Sequence, residues 1–148
     1  LLREAFRAHH LVRKEAALPI RVLIVDDVPA LRELFRLALA EPRFQVVGEA
    51  GDGVEAVQIA RETRPDVILL DVSMPRMDGL QAIPLLHEAS PGTRILMLSA
   101  FNDATMAARA ISRCATAYLE KGVPSAEIIS TVVWVYESPP KKVCATQS

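Results

Sequence analysis

Three carboxylates stand at the ends of two apolar runs: Val22-Leu23-Ile24-Val25 leads into Asp26-Asp27, and Val67-Ile68-Leu69-Leu70 leads into Asp71. Each run is too short for a buried helix, and the second lies between Pro65 and Pro75, so both read as strands covered on both faces of a parallel sheet. An Asp closing one strand is commonly a turn residue or a helix cap. A second strand delivering an acid pair changes that reading. Neighbouring parallel strands lie about 4.8 Å apart, so carboxylates leaving their ends converge. Like charges that close call for a cation. Oxygen-only donors, few of them from protein, with room for water and a phosphate, suit magnesium.

Two further strand ends carry useful groups. The run over 94–98 is followed by Ser99-Ala100, and the run over 117–120 by Lys121-Gly122. If the strands share one rim, Ser99 can donate to a phosphoryl oxygen and Lys121 can pair with its charge. Asp71 is then the candidate nucleophile, since carboxylates form aspartyl phosphates. A metal beside it neutralises charge on attacker and transferred group.

The elements that must position these groups follow in regular alternation. Strands are predicted over 20–25, 44–50, 67–70, 94–98 and 117–120. The first helix follows Pro29, a first-turn residue, with Leu31, Leu34, Phe35 and Ala38 on one stripe. The turn Gly51-Asp52-Gly53 opens the second helix, which carries Val54, Val57 and Ala60. The third begins near Gly79 with Leu80, Ile83 and Leu86, and Pro84 inside it predicts a bend. An alanine-rich helix over 103–113 comes next, and Ser125 is placed as the cap of a last helix reaching about 137, before Pro139-Pro140. Right-handed crossovers between such units point to a flavodoxin-like α/β fold, (βα)5, with sheet order 2-1-3-4-5. In that order Asp26, Asp27, Asp71, Ser99 and Lys121 meet at one rim. Residues 1–19 read as a helical extension or linker, 20–137 as the domain and 138–148 as a tail.

Composition narrows the function. The chain of 148 residues is 51% hydrophobic and 24% charged, suiting one domain, and its net charge of −1 gives no footprint for nucleic acid. Cys114 and Cys144 lack CxxC spacing and histidine companions, so they read as a packed thiol and a tail thiol rather than zinc ligands. His9 and His10 fit a solvated helix face. No apolar stretch approaches the roughly 20 residues of a membrane span, and no signal-peptide pattern opens the chain. A cytoplasmic location is expected.

Over 20–137 the sequence resembles the response-regulator receiver domain, the phosphoacceptor module of two-component signalling. The motifs are Asp26-Asp27, Asp71-x-x-Met74-Pro75 with Asp78-Gly79, Ser99-Ala100 and Tyr118-x-x-Lys121. The wording Gly48-Glu49-Ala50-x-Asp52-Gly53-x-Glu55-Ala56 looks most like receivers that precede NarL-type DNA-binding domains. The resemblance implies that Asp71 accepts a phosphoryl group from a sensor histidine kinase or phosphotransfer protein. It implies Mg2+ bound directly by Asp27 and Asp71, through water by Asp26, and by the Ser73 backbone carbonyl. Ser99 and Tyr118 would form the switch pair, and Lys121 would hold a phosphoryl oxygen. One departure is clear: the family's Gly-Ala-x-Gly run is replaced by Cys114-Ala115-Thr116-Ala117, which bears on loop geometry before the fifth strand and not on the chemistry.

The leading reading is a phosphorylation switch in transcription regulation, not a turnover enzyme. A magnesium-dependent phosphohydrolase with an aspartyl-phosphate intermediate competes, but resemblance to the haloacid-dehalogenase family fails because Asp26 is followed by Asp27 and Val28-Pro29, without the second acid two residues on. A phosphate-independent pseudo-receiver is the third reading, opposed by the complete acid set. Ile128, Ile129, Val132, Val133, Trp134, Val135 and Tyr136 make the last helix apolar nearly all round. A homodimer through the last two helices and the strand between them is therefore expected.

Overall fold

The computed structural model describes residues 18–101 and 103–139. Within them five strands alternate with five helices: β1 (Ile20–Val25), α1 (Pro29–Ala38), β2 (Phe44–Ala50), α2 (Gly53–Thr63), β3 (Val67–Asp71), α3 (Gly79–Ala89), β4 (Arg94–Ser99), α4 (Ala104–Ser112), β5 (Ala117–Glu120) and α5 (Ser125–Glu137). The strands form one parallel sheet in the order β2-β1-β3-β4-β5, the predicted flavodoxin-like arrangement. β3 and β4 each run one residue further than the sequence suggested, so Asp71 and Ser99 are the last residues of their strands. The predicted extension over 1–19, apart from residues 18 and 19, falls outside the described residues, as does the tail beyond 139.

Side chains alternate across each strand, and this builds two cores. Val22, Ile24, Val67, Leu69, Leu96 and Leu98 pack with Phe35 of α1 and with Ile128, Val132 and Val135 of α5. Leu23, Val25, Ile68, Leu70, Ile95 and Met97 pack with Ala56 and Ala60 of α2, Ile83 and Leu86 of α3, and Ala110 of α4. Both faces of β3 are fully covered, which explains its unbroken apolar run. Each such side chain removed from water contributes about 1.5–3 kcal/mol before the entropy of ordering is set against it.

Helix ends are fixed by local chemistry. Pro29 takes the first helical position of α1. Asp52 caps α2 through Glu55 N, Asp78 and Gln81 form a reciprocal capping box on α3, and Asp103 caps α4. The cap expected of Ser125 is corrected: Pro124 occupies that position without a side-chain bond, and Ser125 is already helical.

Pro84 lies inside α3, which continues through it. Proline lacks the N–H that would bond the carbonyl four residues earlier. That carbonyl belongs to Leu80, and it accepts instead from Arg113 Nη1 at 3.1 Å. The turn before β5 holds a left-handed residue without glycine: Cys114 has φ 76. His87 Nε2 lies 3.0 Å from its carbonyl. Cys114 is buried and is not a free thiol, which corrects the reading of a packed thiol; Cys144 lies outside the described residues.

Candidate functional site

The carboxyl ends of β1, β3, β4 and β5 meet where the sequence placed the chemistry. Ligand oxygens of Asp26, Asp27 and Asp71 all lie within 4.8 Å of one another. Asp26 and Asp71 are buried, at 1% and 4% exposure, while Asp27 is exposed. Lys121 brings its ammonium to 2.7 Å from Asp26 Oδ2 and 2.9 Å from Asp71 Oδ1. Lys121 N donates to the Ser99 carbonyl at 2.8 Å, which ties the fifth rim position to the fourth. A cavity of about 360 Å³ opens over the cluster, lined by Asp27, Asp71, Ser73, Ser99 and Lys121 among others. All five expected rim residues are thus brought together.

Close backbone approach sets Asp71 in place. A Cβ on Gly79 would lie 2.1 Å from the Asp71 carbonyl oxygen, so only glycine fits the start of α3 here. Gly79 N donates to the Val72 carbonyl at 2.8 Å, and Ser73 N lies 3.4 Å from Asp71 Oδ1. The loop that follows is held from the neighbouring turn. Arg76, at φ 64, pairs with the buried Asp52, and Gly53 N donates to the Met77 carbonyl at 3.1 Å. The Glu55 backbone N–H and Arg76 hold the Asp52 carboxyl below its ordinary value.

Electrostatics favour a bound cation. Burial pushes the Asp71 carboxyl up to about 6, the Asp26 charge adds to the rise, and Lys121 only partly opposes it. For Lys121, burial acts to lower the pKa, but Asp26 and Asp71 together outweigh it and the result is raised. Asp26 Oδ2 is buried, and among the described residues the Lys121 ammonium is its sole compensation. Three carboxylates converge while one ammonium pairs with only two of them, Asp26 and Asp71, an excess of negative charge that a hard divalent cation with oxygen ligands would relieve. The residues present fit magnesium.

Among the described residues no hydrogen bond joins Ser99 to Tyr118; both bond to one residue. Phe101 N donates to Ser99 Oγ at 3.2 Å, and Tyr118 Oη donates to the Phe101 carbonyl at 3.3 Å. The Tyr118 ring is half-buried against the core beside α4. Phe101 itself is 75% exposed at the cavity mouth. Sequence reasoning missed Asp103 and Met106, which also line the cavity. It missed Arg32 as well, whose Nη1 donates to the Asp26 carbonyl at 2.6 Å. An arginine one turn into a helix carries no signal of that contact until β1 and α1 are packed.

A family model described as the response regulator receiver domain matches residues 22–133. The transcriptional regulatory protein YxjL of Bacillus subtilis is 40% identical over 114 residues, covering 76% of this chain and 52% of that protein. The chemotaxis protein CheY of Listeria monocytogenes is 35% identical over 102 residues, covering 69% of this chain and 86% of that one. Among solved structures, the signal receiver domain of NarL from Mycobacterium tuberculosis superposes with a TM-score of 0.77 at 34% identity, covering 81% of this chain and 98% of that one. The chain spans about half the length of the curated transcriptional regulators it matches. Among the described residues no helix is long and apolar enough to cross a membrane.

Proposed function

The chain belongs to the response regulator receiver family, and on that premise we propose that Asp71 is its phosphoacceptor, taking a phosphoryl group from a histidine of a sensor kinase or phosphotransfer protein. The observation that carries the reading is the Lys121 ammonium, 2.9 Å from Asp71 Oδ1 under an open cavity. A carboxyl with a pKa of about 6 is ionised near neutrality and free to attack. Its oxygen forms a bond to phosphorus as the phosphorus–nitrogen bond of the donor breaks, and the imidazole leaves with that electron pair and takes up a proton. Magnesium, held by Asp26, Asp27, Asp71 and the Ser73 carbonyl, would neutralise charge on the transferred group. Lys121 holds a phosphoryl oxygen by a charge-assisted hydrogen bond.

Ser99 and Tyr118 form the switch. If the Ser99 hydroxyl turns to a phosphoryl oxygen, it gives up the Phe101 N–H, and the carbonyl of that same residue holds Tyr118. The state of Asp71 is thereby passed to the surface of α4, β5 and α5. On that surface Trp134 is 58% exposed and Ile111 39%. Self-association there, strengthened by phosphorylation, is the proposed output, in a regulator of transcription.

The test is intact-mass measurement after incubation with magnesium and acetyl phosphate. One added phosphoryl group, stable in acid and labile in base, is expected. Asp71→Asn should abolish it, and unchanged labelling of that variant would place the acceptor elsewhere.

A further inference from the structure

Asp27 is the exposed member of the acid cluster, and among the described residues no hydrogen bond or ion pair holds its carboxylate. Its direction is set by the peptide that joins it to Asp26. That peptide leaves the sheet: Asp26 N still donates to the Ala50 carbonyl at 3.0 Å, but the Asp26 carbonyl lies past the end of β1. Arg32 of α1 supplies the missing donor, Nη1 at 2.6 Å. Arg32 is in turn fixed by Glu49 of β2, with Nε 3.4 Å from Glu49 Oε1, and both side chains are mostly buried. Glu49 sits opposite Ile24 in the sheet, and its other oxygen pairs with Arg36. A guanidinium can span a carbonyl and a carboxylate at once because its donors are fixed in a plane.

We propose that Arg32, held by Glu49, is a positioning residue that fixes the Asp26–Asp27 peptide and so aims the Asp27 carboxylate for a divalent cation. The inference rests on the magnesium reading of the acid cluster given above. Two effects of Arg32 have opposite signs, which makes it testable. Its positive charge near the site repels a cation, so losing the charge alone would tighten binding. Its hold on the peptide orders a ligand, so losing the hold weakens binding, and outer-shell partners of this kind are worth about tenfold in metal affinity.

The experiment is calorimetric titration of the full chain with magnesium chloride near neutral pH. Arg32→Met, which keeps most of the stem, should bind about tenfold more weakly. Arg32→Lys should also bind more weakly, because an ammonium cannot span Glu49 and the Asp26 carbonyl together. Arg36→Met, which removes a partner of Glu49 that does not touch Asp26, should stay within about twofold. Labelling by acetyl phosphate at saturating magnesium should return to near the wild-type rate in both Arg32 variants, which confines the effect to affinity. Thermal melts identify any unfolded variant, and if Arg32→Met fails to fold, Arg32→Lys decides. If the wild type binds magnesium and the folded Arg32 variants bind as tightly or more tightly, the positioning role is overturned and the magnesium reading stands. If the wild type does not bind magnesium, the metal reading itself fails and this inference fails with it.

Discussion

Lys121 Nζ lies 2.9 Å from Asp71 Oδ1, yet the Asp71 carboxyl is pushed up to about 6, so the ammonium does not compensate for burial. Burial is the larger effect, and Lys121 is also shared. Asp26 takes the same ammonium at 2.7 Å and also repels Asp71.

Asp71 should therefore destabilise the metal-free protein at neutral pH. The folded pKa, about 6, is above the ordinary 3.8, so the folded state binds the extra proton between about pH 4 and 6. This group's contribution falls as pH rises through that window, is lowest above it, and vanishes below about pH 4. Asp71→Asn in EDTA should raise stability near neutral pH by about 1 kcal/mol, less than the full shift because Lys121 loses a partner. Thermal melts should show a gain of about 4 °C at neutral pH and much less below pH 4. A destabilised Asn variant at neutral pH would refute this.

Magnesium affinity should carry the same signature with the opposite sign. The ion needs an ionised Asp71, so binding should weaken about tenfold for each pH unit below about 6. A titration flat from pH 7 to pH 5 would count against Asp71 as a ligand.

The aspartyl phosphate should be long-lived. Attack by water needs groups that orient it, and the cavity presents Ser73 and the exposed ring of Phe101 beside Asp71. Phe101→Glu or Ser73→Asn should speed loss of the phosphoryl group severalfold, followed by intact mass over time. Decay at the wild-type rate in both variants would sink the idea.

Gly79→Ala should be among the most damaging single substitutions. The added Cβ meets the Asp71 carbonyl at 2.1 Å, and backbone cannot yield there without moving the acceptor. Overpacking of this kind costs about 1–3 kcal/mol or more. Melts should show the loss, and any folded fraction should label poorly. A variant with wild-type stability and labelling would show that α3 can shift freely.

Self-association through α4, β5 and α5 is checked by sedimentation of the chain alone and with magnesium and acetyl phosphate. Trp134, 58% exposed on α5, is the central side chain tested. Phosphorylated protein should shift toward a dimer, and Trp134→Glu should prevent the shift. A monomer in every state, or a dimer indifferent to phosphorylation and to the substitution, would exclude this surface.

The sheet and its functional rim are written in local patterns of residue type. Apolar runs of four to seven residues, punctuated by Pro65, Pro75 and the Gly51-Asp52-Gly53 turn, leave little choice of strand, and right-handed crossovers leave little choice of order. Asp26, Asp27, Asp71, Ser99 and Lys121 were legible because a strand end is a fixed address in such a sheet. Contacts between elements distant in sequence arise only on folding. Arg113 covers the Leu80 carbonyl that Pro84 leaves free, and α3 runs on through the proline. Arg32 reaches the Asp26 carbonyl, and Phe101 carries both Ser99 and Tyr118 on its backbone. These are bonds to main-chain atoms, which every residue possesses, so residue type and spacing do not mark them. They appear only when packing of the two cores sets the distances.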